Sequence, residues 1–110
     1  MKWIAWIAVA LAGCQTKASP PVAVPAAYVE DITNLCDVVH LSKADEMPRG
    51  QRSPIIAMWL GPHIKTPEGH NFLVHISPLV GDAKADALDA EAHRVGLAGC
   101  ALSAEWRAPP

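Results

Sequence analysis

Three hydroxyl-proline pairs, Ser53-Pro54, Thr66-Pro67 and Ser77-Pro78, divide the second half of the chain into lengths that suit helices and little else. A serine or threonine just before a helix accepts a hydrogen bond from an otherwise unpaired amide, and proline at the first helical position gives up no bond. Each pair therefore predicts a helix start. The first of these helices carries Ile55, Ile56, Trp59, Leu60 and Ile64, with Gly61-Pro62 expected to end or kink it near Leu60. The next carries Phe72, Leu73 and Ile76 and is stopped by Pro78. In the last, Ala85, Leu88, Ala92 and Val95 recur in steps of three and four, and Gly96 stands ready as a left-handed cap.

An earlier helix is predicted where Val29, Ile32, Leu35, Cys36 and Val39 share one side, with Glu30 and Asp31 in its first turn, where the helix dipole favours negative charge. It fades by Ala44, and Met47-Pro48-Arg49-Gly50 reads as a loop. Phe72 to Ile76 comes nearest to a strand, but no segment sustains the alternation of apolar and polar residues that a half-buried strand requires. The expected fold of residues 28–107 is all-α, a small bundle or orthogonal array of about four helices. Trp59, Phe72, Leu88 and Trp106 are its expected core anchors, and 108–110 form a tail.

The N-terminus is of a different character. Met1-Lys2 is followed by an uncharged apolar run from Trp3 to Gly13. At about eleven residues the run is too short for a membrane span, which needs about 20, and it matches the apolar region of an export signal. It closes on Leu11-Ala12-Gly13-Cys14, which resembles the lipobox of bacterial lipoproteins. The same letters recur at Leu97-Ala98-Gly99-Cys100, but His93-Arg94 stands upstream there in place of an apolar run, so this second copy is not a processing site.

The resemblance implies that residues 1–13 are a signal peptide and that Cys14 receives a diacylglyceryl group and palmitate. The membrane is then a partner through lipidated Cys14, since three acyl chains make attachment practically permanent. Gln15 after that cysteine suggests the outer membrane, with the domain facing the periplasm or the cell surface. Between anchor and domain, residues 14–27 hold Pro20, Pro21 and Pro25 among small residues. They read as an extended tether of about 3.1 Å per residue.

Charge excludes one class of partner. The chain carries 9 Lys and Arg against 11 Asp and Glu, a formal net charge of −2. That leaves no basic excess to hold nucleic acid.

Motifs for catalysis or cofactors are lacking. No serine lies in a Gly-x-Ser-x-Gly elbow, and the phosphate loop, the His-Glu-x-x-His zinc helix and the Cys-x-x-Cys-His haem site do not occur. Asp82 to Asp86 is a faint likeness of a calcium loop, but Ala87 occupies the position where the sharp turn needs glycine. Asp82, Asp86 and Asp89 read instead as the solvated side of the last helix. No two of His40, His63, His70, His75 and His93 have a chelating spacing.

Once Cys14 is lipidated, Cys36 and Cys100 remain, and an even remainder in an oxidising compartment favours one disulfide. The competing explanations are two buried free thiols, or a zinc site of Cys36, His40 and Cys100 with a fourth group. The leading expectation is thus a non-enzymatic envelope lipoprotein. It uses no cofactor and offers a small helical interaction or structural domain to an envelope protein. The alternative is a periplasmic metal-binding or metal-delivery module using Cys36, His40 and Cys100.

Overall fold

Helix α1 (Ala26–Cys36) opens where the Pro25 carbonyl accepts the amides of Tyr28 and Val29 at 3.0 and 3.1 Å. Ala26 and Ala27, expected in the tether, therefore belong to the helix, as suits the strongest helix former. The computed structural model describes residues 23–109, so the expected signal segment, Cys14 and the expected tether up to residue 22 lie outside the described residues.

Tyr28, Ile32, Leu35 and Cys36 form the buried stripe of α1. The helix breaks at Asp37, whose ψ is 6°, and resumes as α2 (Val38–Leu41). This corrects the single predicted helix: Asp37 is a poor helix former, and at its carbonyl the ladder tightens, with the His40 amide three residues on bonding it at 3.1 Å. Lys43, left-handed at φ 62°, then leads into a 3-10 turn at Ala44–Glu46 that buries Ala44.

Of the three hydroxyl-proline pairs, one acts as predicted. Thr66 precedes α4 (Pro67–Ile76), its hydroxyl accepting the Gly69 amide at 2.9 Å with Pro67 at the first position. Ser53 instead lies inside α3 (Arg52–His63), which grows directly out of a 3-10 turn at Arg49–Gln51. Pro54 is tolerated there because the first-turn amides of a helix have no partner to lose. Ser77 follows the end of α4 in helical geometry, and α5 (Gly81–Arg94) starts only after an extended Val80, with Gly81 left-handed at φ 59°. Pro78 is therefore a stop and not a start.

Gly61-Pro62 does not end α3, which runs on to His63. Pro62 deprives only the Met58 carbonyl of its helical donor, and Met58, 78% exposed, lies at the solvent face where water can replace it. After α5, Gly96 takes the left-handed conformation expected of it, at φ 95°. A short α6 (Ala101–Arg107) follows, which the sequence does not announce.

The fold is all-α as predicted, with six α-helices and no strand among the described residues. Phe72 to Ile76, the nearest thing to a strand, is helical. Ile32, Leu35, Val38, Ile76, Leu88 and Leu102 are the fully buried large apolar side chains. Of the four expected anchors only Leu88 belongs to that set. Trp59, Phe72 and Trp106 pack against the core from its rim, partly buried. Deleting the Leu88 side chain beyond Cβ would leave a closed void, a change that costs about 2–5 kcal/mol in packed cores.

Cys36, on the buried stripe of α1, and Cys100, at the start of α6, are paired as a disulfide with 4.6 Å between their Cα atoms. The bridge ties the last helix to the first.

Candidate functional site

The residues singled out from sequence are distributed differently from what a metal centre needs. With Cys36 and Cys100 bonded to each other, neither sulfur is a thiolate ligand. His40 projects from α2 into solvent, its Nδ1 3.3 Å from Asp45 and not beside Asp37. The structure thus does not assemble the Cys36, His40 and Cys100 site. Among the described residues, no group of three His, Cys, Asp or Glu side chains stands close enough to hold a metal ion.

Several carboxylates are engaged in holding elements together, among them Asp31, expected in the first turn of α1 and lying beyond it because the helix starts at Ala26. Asp31 is 2% exposed. It accepts the Lys65 amide at 2.9 Å, the Thr66 amide at 2.8 Å and the Thr66 hydroxyl at 2.6 Å. Burial pushes its carboxyl up, but the Thr66 hydroxyl and the two amides, aided by nearby His70, outweigh burial and hold it below the ordinary carboxylate range. Asp89 accepts from the Ser103 hydroxyl and from Arg107, which bridges to Asp86 as well, so α6 is clasped along α5. The Ser103 bond and then the Arg107 guanidinium depress the Asp89 carboxyl. The expected solvated face holds at Asp82 and Asp86, which are exposed although Arg107 reaches Asp86, while Asp89 is half-buried against α6. A third knot joins the first and fifth helices, where Tyr28 donates to Glu91 and Arg94 chelates the same carboxylate at 2.7 and 2.8 Å.

An apolar cleft opens between the middle helices, with a volume of about 290 Å³. From α3 come Ser53, Ile56, Ala57 and Leu60, whose spacing of three, one and three puts them on one helical face. Leu73, Ile76 and the following Ser77 line the α4 side, and Leu35 of α1 lies at the floor. Lys84 of α5 and Trp106 of α6 complete it, with the ammonium 4.9 Å from the ring centroid, within cation-π range. Arg52 fastens the start of α3 to Glu105 at 2.9 Å, and Arg49 approaches the same carboxylate at 3.6 Å, so Trp106 is held in position by its neighbour.

Sequence reasoning missed this site. Lys84 was visible only as a residue between two aspartates, and Trp106 as a core anchor. One available signal was that Lys84 falls four residues before Leu88, at the edge of the buried stripe of α5, where a lysine stem covers apolar surface and its head reaches out.

Fold and site together define a disulfide-stapled, all-α domain with a small apolar cleft and one cation on its wall. In comparisons with family models, curated proteins and solved structures, nothing matches the chain.

Proposed function

We propose that the chain is an exported, non-enzymatic lipoprotein of the bacterial envelope, anchored through Cys14, whose helical domain acts by binding at the cleft between α3, α4 and α6. The observation that carries the export half of this reading is the Cys36–Cys100 pair. Disulfides persist in oxidising compartments, and the two cysteines that remain after Cys14 are the two that meet. Support for the binding half is that the carboxylate clusters are engaged in structural ties while the cleft keeps a concave apolar wall with few polar groups, the usual make-up of a small-molecule site. Gln15 directs the anchored chain to the outer membrane, and the proline-bearing tether lets the domain stand away from the bilayer.

Lipid labelling tests the anchor. Cells fed a palmitate analogue should incorporate it into the wild-type protein. The Cys14→Ala variant should carry no label and accumulate as unprocessed precursor. Normal processing and unchanged membrane attachment of that variant would refute the lipoprotein reading.

A further inference from the structure

We propose that the cleft binds a small amphipathic monoanion, a medium-chain aliphatic carboxylate, with its alkyl tail along α3 and α4 and its carboxylate at Lys84. This rests on the reading of the domain as a binding module and names what it binds.

Size, lining and charge each narrow the occupant. The cleft holds about 290 Å³, at the small end of ligand sites, which suits a small molecule. Its walls are aliphatic at Ile56, Ala57, Leu60 and Leu73, which favours a saturated tail.

Lys84 is the one charged side chain on the lining. Among the described residues Arg52, Arg94 and Arg107 each have a carboxylate partner, whereas Lys84 faces the Trp106 ring. An ammonium at the mouth of an apolar cleft, with no carboxylate beside it, attracts a single negative charge. The hydroxyls of Ser53 and Ser77, neither of which caps a helix start, add donors to the same lining. Net charge selects further: a chain already at −2 repels a polyanion more strongly than a monoanion.

The test is a titration of the full chain, extracted in a non-ionic detergent, with octanoate carrying a ¹³C-labelled carboxylate and followed by ligand NMR. Octylammonium and octan-1-ol are probes of the same length. Three variants accompany the wild type: Lys84→Met, which keeps the apolar stem, Lys84→Arg, which keeps the charge, and Ala57→Trp, which fills the cleft. Circular dichroism and an intact disulfide establish that each variant is folded.

Octanoate should saturate at one site. Its affinity should fall about fivefold to tenfold in Lys84→Met, stay within about twofold in Lys84→Arg, and be lost in Ala57→Trp. Octan-1-ol should bind wild type and Lys84→Met alike, and octylammonium should not bind. Non-saturable uptake, equal octanoate affinity in Lys84→Met, or equal binding of octylammonium would overturn the proposal. So would a smaller oligomeric mass for Ala57→Trp, which would assign the cleft to a second copy of the chain. Lipid labelling separates the two readings. Failure of octanoate with labelling retained overturns the ligand class alone, and saturable octanoate binding without labelling overturns the anchor and supports the cleft.

Discussion

Asp31 illustrates at the residue scale how this small domain uses a buried charge. Its carboxylate receives three donors from the loop that enters α4, and Gly69 exists to let it approach: a Cβ there would lie 2.5 Å from Asp31 Oδ2 and 2.7 Å from Ile64 Cγ2. Asp31→Asn would place an amide donor against those donors, and we expect a loss of about 2–4 kcal/mol in denaturant unfolding. The pH dependence follows from the lowered carboxyl. A depressed group stabilises the fold fully above its unfolded value, about 3.9, and loses that contribution as pH falls through the folded value. The gap between wild type and Asp31→Asn should therefore be constant above about pH 5 and narrow in stronger acid. Tyr28 gives the opposite case. Burial first, and then the Glu91 carboxylate, push its phenol up to about 12. The chain has 1 Tyr, so tyrosinate absorbance reports this group alone, and its midpoint should lie near 12 in the folded protein and near 10 once unfolded.

At the scale of the elements, the three hydroxyl-proline pairs make a controlled comparison. Thr66 both caps α4 and donates to Asp31, so Thr66→Ala should cost about 1–2 kcal/mol. The Ser53 and Ser77 hydroxyls cap no helix start, and Ser53→Ala and Ser77→Ala should each stay within about 0.5 kcal/mol in the same unfolding experiment. Equal losses at all three positions would contradict the capping assignments.

That contrast also marks how far the sequence can be read. Periodicity located α1, α4 and α5 because each buries one stripe. Local chemistry could not tell a hydroxyl before a start from one after a stop, since Ser77-Pro78 satisfies both. The hitch at Asp37 was hidden because the apolar period runs on across it to Val39. Seven residues is too short a helix to announce itself by period, and α6 is held instead by Arg107 on Asp86 and Asp89 and by the disulfide. The cleft was illegible for the same reason: Lys84 and Trp106 meet only through α6.

For the whole molecule, the bridge between Cys36 and Cys100 closes the chain across a sequence separation of 64 residues, linking α1 to the element that carries Trp106. A domain of this size has a thin margin between core burial and chain entropy, and such a loop is worth about 4 kcal/mol in the chain-entropy model. The Cys36→Ser, Cys100→Ser double variant should lose about that much stability by chemical denaturation, and a loss under 1 kcal/mol would show that the staple is dispensable. On the proposed reading, export, anchoring and folding meet in three cysteines with two fates. Mass spectrometry of the protein from the membrane fraction, alkylated without reduction and then digested, reads both at once. The account predicts a mature chain that begins at acylated Cys14, a cross-linked peptide containing Cys36 and Cys100, and no alkylated thiol. A chain that retains Met1 and carries alkylated Cys36 and Cys100 would contradict it.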